Sequence, residues 1–481
     1  TTFVSDLETS RHDPGTIYAT FNHHKAGDFK PYVMKSVDLG RSWTSIAGNL
    51  PERGSVWTIV EDHLDPNLLF VGTEFGLFAS TDGGNRWIQL KSGLPTIQIR
   101  DLAIQRREDD LVAATFGRGF YVLHDISPLR GIAATVLRDA ALLPAREAKV
   151  FVPAQPLGGG AKGSQGDALW TAPNPASGAV FTYYLKDELK SLKAKRQSAE
   201  KELVKKAADV AIPSWDELRR EDREEPPAAV LTVLDETNTV VRRLTGPATA
   251  GFHRVTWDLR LPAANPVTGA PTRRSDDDDG PTGPLAPPGT YRARLTLRID
   301  GKEVAAGEPQ TFQATPLHQG SFASTDRAAI ATFNRELAGL QRAALGAGQS
   351  LIELESRLRL LSLAIEQTAG VPATLADSAR NLRGNLLDLR ANFSGDPTTT
   401  TRNEPAPATI LDRVQRIVGS AWSTTTPPTQ THRRSFAVAG ERFGRFLPGL
   451  QAASESLRRL EERAETAGVP WTPGRIPSWR P

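Results

Sequence analysis

Apolar positions change their period along the chain, and each change marks a different kind of element. Over residues 1–128 they come in short runs rich in β-branched and aromatic side chains, such as Ile17-Tyr18-Ala19 and Leu69-Phe70-Val71, each bounded by Gly, Pro or Asp. That is the chemistry of short strands and tight turns. Longer runs follow at Gly178–Leu185, Ala229–Asp235, Val240–Leu244 and Gly251–Leu259, and Pro288–Leu297 alternates cleanly at period two. From Asp326 the period becomes 3.6. Ala329-Ile330, Phe333, Leu337 and Leu340 predict one amphipathic helix, with Ser324 or Thr325 placed to cap it. Leu354, Leu358, Leu361 and Ile365 stripe a second over Leu351–Ala369, and Leu382, Leu386 and Leu389 a third over Ala376–Phe393. Further helices are expected over Ile410–Trp422 and Glu441–Ala467.

The pattern predicts a multidomain chain, mainly β and then α. Residues 1–128 form a repeat region, and 129–167 a connector that ends in a Gly-rich linker, with a short helix and strand expected over Val136–Val152. Residues 168–317 read as a β-sandwich, 318–468 as an up-and-down helical bundle, and 469–481 as a Pro/Trp-rich tail. The sandwich carries a charged insertion over about 186–225, expected to form a solvated helical hairpin or a docking arm for a partner.

The first region repeats itself. Ser36-Val37-Asp38-Leu39-Gly40-Arg41-Ser42-Trp43 returns 44 residues later as Ser80-Thr81-Asp82-Gly83-Gly84-Asn85-Arg86-Trp87, and a third copy ending at Asp125 lacks the Trp. A period of roughly 40 to 50 residues with several strands per copy is that of a propeller blade. Within each Ser/Thr-x-Asp-x-Gly-x-x-Trp element, Asp38 or Asp82 can accept from turn N–H groups. Gly40 or Gly84 supplies positive φ, Ser36 or Ser80 opens the turn, and Trp43 or Trp87 packs it on a neighbouring sheet. The element resembles the Asp box of bacterial neuraminidase repeats, a resemblance that implies a structural role for these eight residues.

His24–Tyr32, Glu61-Asp62, Gly72–Leu77 and Thr115–Gly119 extend the likeness to the last blades of large secreted bacterial repeat proteins, often labelled glycosyl hydrolases or sortilin-like propellers. About a quarter of the chain carries it. The resemblance implies that the chain holds two to three closing blades, with the preceding blades supplied elsewhere, because a few blades cannot close a ring. Likewise Gly251–Leu259 followed by Pro288–Tyr291 resembles the immunoglobulin-like domain of flagellar hook-capping proteins, which implies adhesion, spacing or assembly.

Composition narrows the function classes. Of the chain, 39% is hydrophobic and 23% charged, and the formal net charge is only +3. No Lys/Arg stripe interleaved with aromatics is present, so no nucleic-acid partner is expected. There are no cysteines, which removes disulfides, thiolate metal sites and cysteine nucleophiles. No apolar run reaches the ~18 to 20 residues of a membrane span, and membrane contact is expected only through partners. A periplasmic or extracellular bacterial setting follows from the family likeness.

Candidate chemistry is sparse. Glu74 and Arg118 fall at equivalent repeat positions, where they would line a central channel or, as favoured here, form ion pairs between blades. A sialidase-like hydrolase would add Tyr18, Tyr32 or Tyr121, but it needs an arginine trio that is not recognisable, so no catalytic residue is assigned. Neither Ser275–Gly280, with four consecutive aspartates, nor the His23, His24 and Asp28 group has metal-ligand spacing, so no metal and no cofactor is expected. Trp471, Ile476 and Trp479 make the tail either a strap on its own bundle or an anchor in a partner. The expectation is a non-enzymatic extracytoplasmic binding or scaffolding protein with protein partners and a peptide or glycan ligand, such as an extrinsic subunit that stabilises a larger membrane-associated assembly. The alternative is a hydrolase whose site lies mostly in preceding blades.

Overall fold

The computed structural model describes residues 2–130, 132, 140–153, 172, 174–267, 282–317 and 327–477. They divide into two compact units, one of Thr1–Ala148, Pro173–Asp258 and Thr290–Gln313, the other of Lys149–Ala172, Leu259–Gly289 and Ala314–Pro481. The chain is therefore multidomain, antiparallel β followed by α.

The first unit opens with two four-stranded antiparallel meanders. Strands β1 (Phe3–Thr9), β2 (Ile17–His23), β3 (Asp28–Ser36) and β4 (Thr44–Ser45) pair in sequence order. So do β5 (Val56–Glu61), β6 (Leu69–Thr73), β7 (Gly76–Ser80) and β8 (Ile88–Leu90). A three-stranded sheet follows, of β9 (Ile99–Gln105), β10 (Asp110–Thr115) and β11 (Phe120–Leu123). Strands β6 and β7 are buried along their whole length, because both faces of the second meander are covered. Alternation sends Leu69, Val71 and Phe78 into a core shared with Tyr18 and Val33, while Phe70, Leu77 and Ala79 join Ile99, Leu111 and Ala113. Gly72 permits the second contact. A Cβ there would lie 2.7 Å from Thr58 and 2.8 Å from Ile99.

The remaining strands are β12 (Ala141–Leu142), β13 (Ala148–Val150), β14 (Ala179–Leu185), β15 (Ala228–Leu234), β16 (Val240–Gly246), β17 (Gly251–Trp257), β18 (Gly289–Ile299), β19 (Lys302–Ala305) and β20 (Gln310–Pro316). They make a three-stranded sheet, β12-β14-β17, and a six-stranded one, β13-β20-β18-β15-β16 with β19 on β18. Phe181 and Trp257 of the small sheet meet Phe312 and Tyr291 of the large one, with Phe181–Phe312 and Trp257–Tyr291 ring centroids both 5.2 Å apart. The short helix expected over Val136–Val152 has no counterpart in its described part, which forms β12 and β13. The Gly-rich linker 154–167 lies outside the described residues.

Helices α1 (Leu192–Lys205) and α2 (Trp215–Arg223) occupy the charged insertion. In the second unit, α3 (Arg327–Glu366), α4 (Ala373–Ser394), α6 (Ile410–Ala421) and α7 (Gln430–Thr466) share one apolar core, and the single turn α5 (Pro397–Thr400) follows α4. Two expectations are corrected. The two helices expected before residue 370 are one 40-residue helix, because Ala344 and Ala347 continue the buried stripe through Gly346 and Gly348. A Cβ at Gly348 would come within 3.0 Å of Phe393, so the glycine marks a close helix approach rather than a break. The last helix begins at Gln430 instead of Glu441, capped by reciprocal bonds between Thr429 and His432, and it runs through Pro448. No helix among the described residues is long and apolar enough to cross a membrane.

Candidate functional site

The repeated turns are closed by their own side chains. In the first, the Ser36 hydroxyl donates to Asp38 Oδ1 (2.8 Å) and accepts from Gly40 N–H (2.8 Å). Asp38 accepts from the Ser42 backbone N–H (2.8 Å) and hydroxyl (2.6 Å). These bonds, the Ser42 hydroxyl foremost, hold the Asp38 carboxyl down at about 2. The second turn repeats the scheme: Ser80 bonds Asp82 (2.8 Å), and Gly84 N–H and Arg86 N–H donate to Ser80 and Asp82 (both 2.9 Å). Gly40 and Gly84 have φ of 81° and 96°. In the first turn both Asp38 carboxylate oxygens accept from within the turn, and in the second Asp82 Oδ1 does.

A pair of buried acids next to each other does more. Glu61 ends β5 and accepts four bonds from the first meander: two from the Ser10 hydroxyl (3.0 and 2.8 Å), one from Arg11 N–H (2.9 Å) and one from the Tyr18 hydroxyl (3.0 Å). Burial, with the Glu61 charge beside it, pushes the Tyr18 phenol up, so it stays a donor. Asp62 faces the third sheet. The Arg130 guanidinium donates to both its oxygens (2.8 and 2.9 Å) and also to Asp109. Burial alone would raise the Asp62 carboxyl; the Arg130 bonds and the N–H groups of Leu64 and Asp65 prevail and lower it. One dipeptide thus ties three sheets together. Its sequence signal was only two acids after an apolar strand, whereas Arg130 and Asp109 gave none.

At the opposite strand ends, side chains from all three sheets meet. The Trp57 ring lies 5.4 Å from His24, edge to face, and under the Arg100 guanidinium at 4.0 Å; Arg100 also reaches Phe116 at 5.9 Å. Buried Ser55 Oγ and Trp57 Nε1 have no hydrogen-bond partner among the described residues. Glu74 is half-buried here, its N–H donating to Ser55 O (3.0 Å), and beside it Phe75 helps line a cleft of about 350 Å³ with Gln89, Leu90 and Leu94. Arg118 is exposed in the β10–β11 turn, and no ion pair joins it to Glu74 among the described residues. His24 bonds Asn22 (2.7 Å) and Asp28 bonds Tyr32 (2.6 Å), so these residues are directed at other partners than a shared ion. No group of three or more His, Asp or Glu is placed to hold a metal among the described residues. Ser275–Gly280 lies outside them.

The insertion is a preformed arm. Ser191 caps α1 and a Ser214–Glu217 capping box opens α2. Arg196 clamps the two helices with a bidentate bond to Glu221 (2.6 and 2.9 Å) and a third to Glu200 (2.7 Å). No residue of either helix is buried, and the tip carries Ile212 at 94% exposure and Trp215 at 77%. The tail, in contrast, returns to its own helices. Val469 and Thr472 are buried, Trp471 Nε1 donates to Arg475 O (2.7 Å), and Arg475 donates to Glu461 O (2.9 Å). Trp471 and Ile476 still project into solvent; Trp479 lies outside the described residues.

No family model matches the chain, and no curated protein matches it. Among solved structures it is similar to an ancestral GH74 enzyme, at 27% identity and a TM-score of 0.20 over 24% of this chain and 14% of that one. A GH74 xyloglucanase from Xanthomonas campestris gives 11% identity and 0.22, over 63% and 38% respectively. The extracellular domain of a one-component system from B. thetaiotaomicron gives 11% and 0.19, over 66% and 30%. The chain spans well under half the length of each.

Proposed function

We propose that this chain is a non-enzymatic binding or scaffolding protein of the bacterial cell exterior, built from closing Asp-box propeller blades, an immunoglobulin-like sandwich and a helical bundle. In this reading the α1–α2 arm grips a protein partner. The observation that carries it is the arm itself. Two capped, internally bridged helices contain no fully buried residue, yet display Ile212 and Trp215 at their tip. Large apolar side chains held in solvent on a rigid, charged support are what an interface core with a polar rim requires. Pre-ordering spares the partner the entropic cost of fixing the arm.

The native particle tests this. Its mass should exceed that of one chain, and Ile212→Asp with Trp215→Ala should release the chain while its far-ultraviolet dichroism stays unchanged. A native mass equal to one chain, or a complex that survives both substitutions, sinks the reading.

A second reading rests on the cluster at Trp57. An aromatic face, a guanidinium, a half-buried Glu74 and two buried donors without partners suit a glycan or peptide ligand. Were the ligand also cleaved, turnover of aryl glycosides would fall in Glu74→Gln and Arg118→Ala, and absence of any turnover leaves binding alone.

A further inference from the structure

The second meander shows what this repeat buries. Val56, Ile59, Leu69, Val71 and Phe78, with Trp87 from its turn, form the face packed on the first meander, and all are buried. Strand registers transfer these positions to the first meander. Ile59 pairs with Val71 and Val71 with Phe78; Leu7 pairs with Ala19 and Ala19 with Met34. Val56 sits opposite Thr73 as Val4 sits opposite Phe21, and Glu61 opposite Leu69 as Thr9 opposite Ile17. The equivalent face is therefore Val4, Leu7, Ile17, Ala19, Met34 and Trp43.

That face is open. Val56 is 0% exposed and Ile59 2%, whereas Val4 is 56% and Leu7 61%. Asp6, one residue before Leu7, turns the other way and accepts from the Thr58 hydroxyl and Ile59 N–H of the second meander (2.8 and 3.1 Å), so Leu7 points away from that contact. The tryptophans show what is unmet. Trp87 Nε1 donates to Ile46 O (2.9 Å), and its backbone exchanges two bonds with the Asn49 side chain (2.6 and 3.0 Å). Both partners lie in the segment that follows the first repeated turn. Trp43 Nε1 folds onto Gly40 O of its own turn (3.0 Å) instead.

From this equivalence we infer that the open face of the first meander is an interface for another meander of the same kind. Its occupant is four-stranded and carries a Ser/Thr-x-Asp-x-Gly-x-x-Trp turn. The segment after that turn supplies a carbonyl to the Trp43 indole, and its outer face meets Val4 and Leu7 with apolar residues, as Tyr18 and Val33 meet the second meander. The third sheet of a second copy matches less well. It has three strands and ends at Leu123 without a Trp-bearing turn, so it offers no such segment.

Photo-crosslinking in cells that make the full chain tests this, and it is independent of the arm. With p-benzoylphenylalanine at Leu7 or at Trp43, the crosslinked peptide should carry or directly follow such a turn, and the product should be absent when the probe replaces Val37, which is as exposed. Crosslinks to β10 or β11 of a second copy, to a protein without the turn, or to nothing at either position would overturn the inference.

Discussion

The first and second meanders carry the same turn, closed by the same hydrogen bonds, and live in different surroundings. Trp87 is 3% exposed and wedged into the segment before it; Trp43 is 38% exposed and rests on its own turn. At the position between them, the second turn has Gly83 and the first has Leu39, which adopts φ of 61° despite its side chain. Local sequence closes the loop in both places. Burial, and with it most of the free energy of each residue, is decided by whether another sheet is present on that side.

Five measurements on the purified chain would break or sharpen that contrast. Trp87→Ala should cost about 3–5 kcal/mol through the cavity and the lost Ile46 bond, whereas Trp43→Ala should cost no more than about 1 kcal/mol; equal shifts in a denaturant midpoint would refute the distinction. Ile59→Ala should cost about 2–4 kcal/mol, against under about 0.5 for Leu7→Ala. Gly84→Ala should cost about 2–3 kcal/mol, because a Cβ there meets Ile46 at 2.9 Å on top of its positive φ. Gly40→Ala, with only Trp43 at 3.6 Å, should lose about 1 kcal/mol from backbone strain alone.

Smaller still is Leu39→Gly. Relief of left-handed strain and the added freedom of the unfolded chain nearly cancel, leaving a change within about 0.5 kcal/mol. The least effect is the pH response of the exposed turn. The Asp38 carboxyl is held at about 2 against an ordinary 3.8, so its contribution is full above pH 4 and fades as pH falls toward 2. Asp38→Asn should flatten that part of the stability profile; a profile identical to the parent's would mean the turn is not closed by this carboxylate.

How much was legible follows the same division. Strand positions such as Ala229–Asp235 and Gly251–Leu259 were readable within two residues, since runs of β-branched and aromatic residues bounded by turn formers are local chemistry. Helix continuity was not. Gly348 looks like a breaker until Phe393 is seen to need the space. The tail also depended on a remote contact, with Arg475 on Glu461. The bonds of Ser36, Asp38, Ser80 and Asp82 join residues at most four apart and so follow a local motif, whereas Trp57, Arg100 and Arg130 act only through partners distant in sequence.

Sequence by itself determined the period of each region, the turn chemistry of Ser36–Trp43 and Ser80–Trp87, and the charge pattern of the arm. Each is set by bonds and sterics within a few residues. Tertiary structure decided which copy of the turn is buried, which acid of Glu61-Asp62 faces which sheet, and that Ile212 and Trp215 remain in solvent. Burial is a property of what lies across from a residue, and a chain read in order cannot show what comes to lie across from it.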